Sequence, residues 1–430
     1  MLWGFCYPAF KRLISNTAYF SIPMGMLQLH RSIRVIGAIR FIGGFARFPL
    51  MTLVTLYYYY IFDLSYLEIG IVFTLQAAFS VPANLYGGYF ADRIGRRRMI
   101  LLSSTLVFLA SLALFFISYL NLSVILFITA YIAMGIGSSV QRPVVNSAIT
   151  DLSSESDRVA AFSLSRITSN AGIGVGLIVA GFSWGIDPVI FFLVNVAGAA
   201  LETLLFLFFV PESFNFREKP RKEKRVIYSR DRFLLMISSY LAISILFSQQ
   251  WLSSIFPLYI TGHDGLPVFD ATLMYSFNTA VIVVFQPAAN RFLERIGEIP
   301  AFVIGTAIFA SGYIFFGLTS SLIVLFAVVF VISIGEDLVL MIPQIIVSRI
   351  APMDRRGEYF GTNSALLSIS FSLSPIVGTS LLYIFTTNQQ WAWYVISIVC
   401  FITLLFSPYV ARKLKGNLVP AENPAVVETS

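Results

Sequence analysis

Three runs of this chain, residues 99–141, 299–335 and 359–411, contain no Asp, Glu, Lys or Arg. A helix needs about 20 apolar residues to cross the hydrocarbon layer of a bilayer. Each run is therefore long enough for two crossings joined by a short uncharged hairpin. The hairpins fall at Asn121-Leu122, at Leu318 to Ser320 and at Thr386 to Gln390. Lipid offers no hydrogen bonds to exposed backbone, so segments of this length are helices. Hydrophobic residues make up 57% of the chain and charged ones 12%, against about 25% charged in soluble domains. These features predict an all-α protein that crosses the lipid bilayer many times.

Apolar segments place twelve helices at 35–61, 68–91, 98–118, 122–149, 160–183, 188–210, 233–260, 268–292, 299–317, 321–349, 359–385 and 391–411. The net charge of +7 raises the question of an anionic partner. Position answers it. Connections on one face (Asp63 to Glu68, Asn121, Trp184 to Asp187, Thr261 to Asp270 and the two remaining hairpins) carry no Lys or Arg. The basic residues of the loops fall on the other face, as the positive-inside rule expects of the cytoplasmic side. Both termini are thus expected in the cytoplasm, in a multi-pass protein of the cytoplasmic membrane. The charge needs no nucleic-acid partner.

Cys6 and Cys400 lie at opposite ends of the chain and His30 and His263 stand alone, so neither a disulfide framework nor a metal site is expected. No phosphate-binding G-x-x-x-x-G-K-[ST] occurs, which disfavours an ATP-driven pump. No cofactor and no enzymatic activity are expected. In the first 33 residues, Lys11 and Arg12 follow the apolar stretch instead of preceding it, which argues against a cleaved signal peptide. An interfacial helix and a true start at Met24 or Met26 both fit.

One loop is unlike the others. Between Asp92 and Arg98 stand one acid and four arginines, within the run Gly88 to Leu101. Asp92-Arg93-Ile94-Gly95 recurs in the second half as Glu294-Arg295-Ile296-Gly297, Pro143 recurs as Pro343, and Asp157-Arg158 as Arg355-Arg356, in the same order. Between the copies lies a charged stretch opened by Pro211. The chain thus divides into an N-terminal segment 1–34, a six-helix bundle 35–210, a cytoplasmic linker 211–232, a second six-helix bundle 233–413 and a tail 414–430. Repeated bundles with a site at their interface are a common transporter design.

The pattern G-x-x-x-D-R-x-G-R-R, with six plus six helices and a basic central loop, resembles the major facilitator superfamily over about residues 35–413. The stretch around Gly335, Glu336 and Pro343, and Ala351-Pro352 through Tyr359, are similar to its twelve-helix proton-coupled drug-efflux group. Three positions depart from that group: Gly172 to Leu177 lacks a proline, the first helix carries Arg40 and Arg47 instead of a carboxylate, and Tyr131 stands where an arginine is common. The resemblance implies two pseudo-symmetric bundles, a monomer, and a central cavity lined by helices 1, 4, 7 and 10. It also implies a gating latch formed by Gly88, Asp92, Arg93, Gly95, Arg96 and Arg97, with Asp92 near the start of helix 11. Arg96 or Arg97 would pair with Asp151.

Charges at mid-membrane cost about 2.5–3.5 kcal/mol on insertion scales and face a partner or a cavity. Counting along the spans puts Arg47 in the middle of helix 1, Gln249 and Gln250 in the middle of helix 7, and Glu336 and Asp337 in the middle of helix 10. Arg40 lies two turns nearer the cytoplasm, with Arg142 at similar depth on helix 4. Arg47 either binds an anionic substrate or neutralises Glu336 beside a lipophilic one. Glu336 is the expected proton carrier, with Asp337 its alternative. Tyr57 belongs to an aromatic run that fits an interfacial belt or the cavity wall, and Glu202 fits a structural role. The expected partners are protons and a small-molecule substrate, with drug efflux first, movement of an anionic metabolite second, and a membrane receptor that senses a ligand without moving it as the least favoured use.

Overall fold

The computed structural model describes residues 29–154, 157–212, 231–351 and 356–417. The expectations for residues 1–28, for most of the linker and for the tail beyond 417 lie outside the described residues. The first half holds α1 (Arg31–Tyr60), α2 (Tyr66–Ile94), α3 (Arg96–Tyr119), α4 (Val124–Leu152), α5 (Arg158–Ile186) and α6 (Pro188–Phe209). The second holds α7 (Arg232–Ser248), α8 (Ile255–Gly262), α9 (Val268–Ile296), α10 (Glu298–Leu318), α11 (Leu322–Leu340), α12 (Ile342–Ile350), α13 (Arg356–Ile384), α14 (Gln390–Leu405) and α15 (Ser407–Asn417). Eleven stretches, counting α11 with α12 and α14 with α15 as one each, are long and apolar enough to cross a membrane. With the interrupted seventh segment, they make up the twelve.

Local chemistry sets the ends. Ser65 and Glu68 form a reciprocal cap at the start of α2, the Ser65 N–H donating to Glu68 Oε2 at 2.8 Å. Asp187 accepts from the Val189 N–H at 2.8 Å ahead of Pro188, and Asp231 does the same for α7 through the Phe233 N–H. The repeated glycines have one job each. Gly95 (φ 97°) alone joins α2 to α3, and Gly297 (φ 83°) alone joins α9 to α10. A left-handed residue that ends one helix and starts the next is a position for glycine. The duplication seen in the sequence is thus a duplicated corner.

The seventh span departs from the expected unbroken helix over 233–260. It stops at Ser248, makes one 3₁₀ turn over Gln250–Leu252 and resumes at Ile255. Pro257, in the first turn of α8, has no N–H for the Ser253 carbonyl and its ring crowds that turn. Two tyrosines satisfy the freed backbone: Tyr313 Oη donates to the Ser248 carbonyl at 2.5 Å and accepts from the Trp251 N–H at 3.3 Å, while Tyr275 Oη donates to the Trp251 carbonyl at 2.8 Å. Irregular backbone at membrane depth needs such partners. The tenth span is interrupted at Met341, where Pro343 lacks an N–H and its ring crowds the turn before it. The last span bends at Phe406, and α15 runs to Asn417, past the expected end at 411.

The halves pack through α2 against α13 and α5 against α9, with α1 touching α8. They close on each other at the face opposite the basic loops. There a Cβ at Gly70 would run into Thr379, and one at Gly181 into Thr272. Tyr66 Oη accepts from Gln389 Nε2 at 2.9 Å at the same face, and Thr55 lies 3.4 Å from Ser254 deeper in. Gly172 and Gly176 of α5 serve a different contact, against the carbonyls of Phe41 and Phe45 inside the first bundle.

Candidate functional site: the cavity between the bundles

Below the Thr55–Ser254 contact lie two adjoining cavities of about 320 and 220 Å³ that share Phe48, Met51, Gln76 and Ser139 in their walls. Together they fall within the size range of small-molecule sites. The larger is bounded by both bundles, and uncharged side chains line it, among them Phe73, Gln249 and Phe371. The smaller lies within the first bundle toward the basic face and is lined by Arg40, Arg47 and Arg142. The three arginines that the sequence placed on helices 1 and 4 thus do share one cavity.

Arg47 does not reach Glu336. Its guanidinium bridges to Glu202 of α6 at 2.8 Å, and it also donates to Gln141 Oε1 of α4. Gln141 Nε2 completes the triangle by donating to Glu202 Oε1 at 3.1 Å. The Glu202 side chain is 4% exposed and that of Arg47 18%. Glu202 is buried behind the cavity-lining Arg47 and Gln141 and holds both in place. Arg40 donates to Asn146 Oδ1 at 2.6 Å, one turn beyond Arg142 on α4.

Gln249 and Gln250 separate at the break. Gln249 lines the larger cavity, whereas Gln250 turns back and donates to the Leu246 carbonyl at 2.7 Å, away from the cavity walls. Tyr57 is also not a wall residue. Its ring is buried against Phe62, Phe127 and Phe192, with centroids 5.3, 5.1 and 5.0 Å away. That places it in the aromatic packing of the first bundle.

Glu336 and Asp337 are both buried in the last turns of α11. Asn278 of α9 donates to Glu336 Oε2 at 3.1 Å and to Ser333 Oγ at 2.9 Å, while Asp337 Oδ2 is buried without a partner among the described residues. Their positive neighbour comes from the other bundle and is Arg166 of α5, which interacts electrostatically with both. Arg166 also meets α9, where Gln286, with its amide oxygen turned to the guanidinium, accepts at 2.8 and 3.2 Å. Arg166 forms no ion pair with either acid among the described residues, and its hydrogen-bond partner is Gln286.

At the basic face, Gly88 and Asp92 lie in α2; the Asp92 side chain and those of the first residues of α13 are outside the described residues, so the expected placement of Asp92 near the start of the eleventh span lies outside them too. Arg93 stacks over the Tyr89 ring at 4.2 Å. Arg96 pairs with Asp151 at 2.6 Å. Arg97 donates instead to the Leu207 carbonyl at 2.7 Å. The Glu212 carboxylate accepts from the N–H groups of Arg96 and Arg97 at the start of α3, where the helix dipole favours an anion. These contacts tie α3 to α4 and α6, inside one bundle. The second bundle repeats the bridge with its signs exchanged, Glu298 at the start of α10 pairing with Arg349 of α12 at 2.6 Å. The residue after the repeated glycine is thus arginine in one half and glutamate in the other.

Solved transporters share this architecture. A crystal structure of a POT family transporter in complex with a thioalcohol-conjugated peptide superposes with TM-score 0.75 at 15% identity, over 91% of this chain and 99% of that one. The nucleoside transporter NupG gives 0.77 at 14%, over 89% and 100%. At the sequence level the chain is 24% identical over 365 residues to the MFS-type transporter YqjV of Bacillus subtilis (strain 168), covering 80% of this chain and 83% of that protein. It is 25% identical over 342 residues to a Na(+), Li(+), K(+)/H(+) antiporter of Planococcus maritimus, covering 71% and 80%. The family model of the Major Facilitator Superfamily matches residues 36–297 and 266–427. Matched over nearly its whole length, this chain is a membrane transporter of the major facilitator superfamily.

Proposed function

We propose that the protein is a proton-coupled secondary transporter that exports small amphipathic molecules by alternating access of its two bundles. In this reading the basic face is cytoplasmic, both termini lie there, and the protein works as a monomer in the cell membrane. The observation that carries the coupling is the buried acid pair Glu336–Asp337 of one bundle in electrostatic reach of Arg166 of the other. Protonation cancels charge at that interface, so the energy of holding the bundles together changes with proton occupancy. The antiporter of Planococcus maritimus lends support to proton exchange, being a relative that exchanges cations for protons. Phe48, Met51, Phe73 and Phe371 around the larger cavity support an apolar cargo body.

A second reading, movement of an anionic metabolite, is favoured by Arg40 and Arg142 in the smaller cavity. Purified protein in liposomes separates the two. Flux of lipophilic cations driven by a pH gradient and lost in Glu336→Gln supports the first. Flux restricted to carboxylates or phosphates, and lost in Arg142→Gln, supports the second. Undiminished gradient-driven flux in Glu336→Gln would overturn the coupling assignment.

A further inference from the structure

Five buried side-chain atoms of residues lining the larger cavity have no hydrogen-bond partner among the described residues: Ser80 Oγ, Gln249 Nε2 and Oε1, Ser253 Oγ and Ser374 Oγ. They come from α2, from the break in the seventh span and from α13, so both bundles contribute. Buried polar atoms in folded proteins are paired in the great majority of cases, and these five, tucked into the walls of one space, meet an occupant when their side chains turn toward it. Gln249 is the sharpest of them. It is 2% exposed, it sits at the C-terminal end of α7, and neither side-chain polar atom has a partner among the described residues.

We propose that Gln249 is the specificity-determining residue of a subsite for an uncharged group with a hydrogen-bond donor and acceptor side by side. A carboxamide, or the amide-like edge of a nitrogen heterocycle, has that form. The Gln249 amide is its two-bond complement, and the serine hydroxyls donate or accept as the neighbour requires. The rings of Phe48, Phe73 and Phe371 supply apolar walls for a flat group. A carboxylate fits poorly, since it would set an acceptor against Gln249 Oε1 in a cavity with no charged lining residue. An alkyl group would leave all five atoms unpaired, which polar sites reject strongly. The subsite rests on the transport reading and names the chemistry of the cargo in the middle of its path.

Benzamide, methyl benzoate and benzoate test it, because they share a ring and differ in the donor and in charge. Their binding to the full chain in detergent is read from the ligand-dependent rise in melting temperature, with no proton gradient present. Benzamide binds at least about tenfold more tightly than either competitor, a difference expected from losing one or two hydrogen bonds to buried groups. Gln249→Leu abolishes the preference and Ser374→Ala weakens it, with the unliganded melting temperature retained; should Gln249→Leu fail to fold, Gln249→Met removes both amide atoms at nearly constant length. Equal stabilisation by the ester, as for a cavity filled only by water, overturns the proposal, as does a preference retained in these Gln249 variants. Loss of coupling in Glu336→Gln leaves the benzamide preference intact, so the two readings fail separately.

Discussion

Arg47 of α1 and Glu202 of α6 meet at 2.8 Å, with Gln141 of α4 bound to both. Three helices of one bundle are pinned by this triangle at the cavity wall. Removing one partner leaves a buried charge uncompensated, at a cost of about 3–5 kcal/mol, whereas removing both together is far cheaper. Arg47→Met and Glu202→Gln each therefore lower the melting temperature of the purified protein, and the double variant recovers most of the loss. Additive losses in the double variant would show that the two side chains act independently.

Arg96–Asp151 and Glu298–Arg349 are the same bridge with opposite polarity. The geometry should accept either sign in the first bundle as it does in the second. Arg96→Glu alone and Asp151→Arg alone are expected to depress flux, and the double reversal to restore it. The stability at stake is small, about 0.2–1 kcal/mol for pairs with solvent access, so flux is the sensitive measurement.

Tyr313 and Tyr275 hold the broken seventh span through their hydroxyls. Tyr313→Phe and Tyr275→Phe keep the rings and orphan the carbonyls of Ser248 and Trp251, at about 1–3 kcal/mol each. Both are expected to lower the melting temperature and to speed amide exchange at Trp251. Unchanged exchange in both variants would mean that the break is held by packing alone.

Asp264, in the loop between α8 and α9, is pushed up to about 6 from its ordinary 3.8 by burial, against the opposing effects of Ser320 and the neighbouring His263. Ser320 Oγ donates to its Oδ1 at 2.8 Å, while Oδ2 is buried without a partner among the described residues. The proton is held more tightly in the fold than in the unfolded chain. Its stabilising contribution is complete below pH 3.8 and is lost as pH rises through about 6. Melting curves of the wild type should fall relative to Asp264→Asn between about pH 4 and pH 7; parallel curves would count against it.

The spans and their ends were readable because lipid imposes length and turn residues impose stops: the hairpins at Asn121 and at Thr319 to Ser321 lie where charge-free runs had to turn. The Arg96–Asp151 pair followed from the family pattern. Depth along a helix can be counted in a sequence but azimuth cannot, and that is why Glu202 does not emerge from the sequence as the partner of Arg47. Glu202 and Glu336 lie at compatible depths, and only the packing of α6 on α1 chooses between them. Pro257 marks the restart of the seventh span at α8, but the stop at Ser248 depends on tyrosines of α9 and α10 that are distant in sequence. Gln250 and Tyr57 likewise point to neighbours that the chain order does not reveal.

The closed face is joined by Gly70 against Thr379, Gly181 against Thr272, and the Tyr66–Gln389 hydrogen bond. These described contacts are uncharged, while the bridges at the other face are ionic. Electrolyte screens charges across a Debye length of about 8 Å at physiological ionic strength and barely touches neutral packing. The two mouths of this transporter thus answer to different baths. Salt on the basic side loosens the corners of each bundle, and salt on the other side leaves the seal as tight as before.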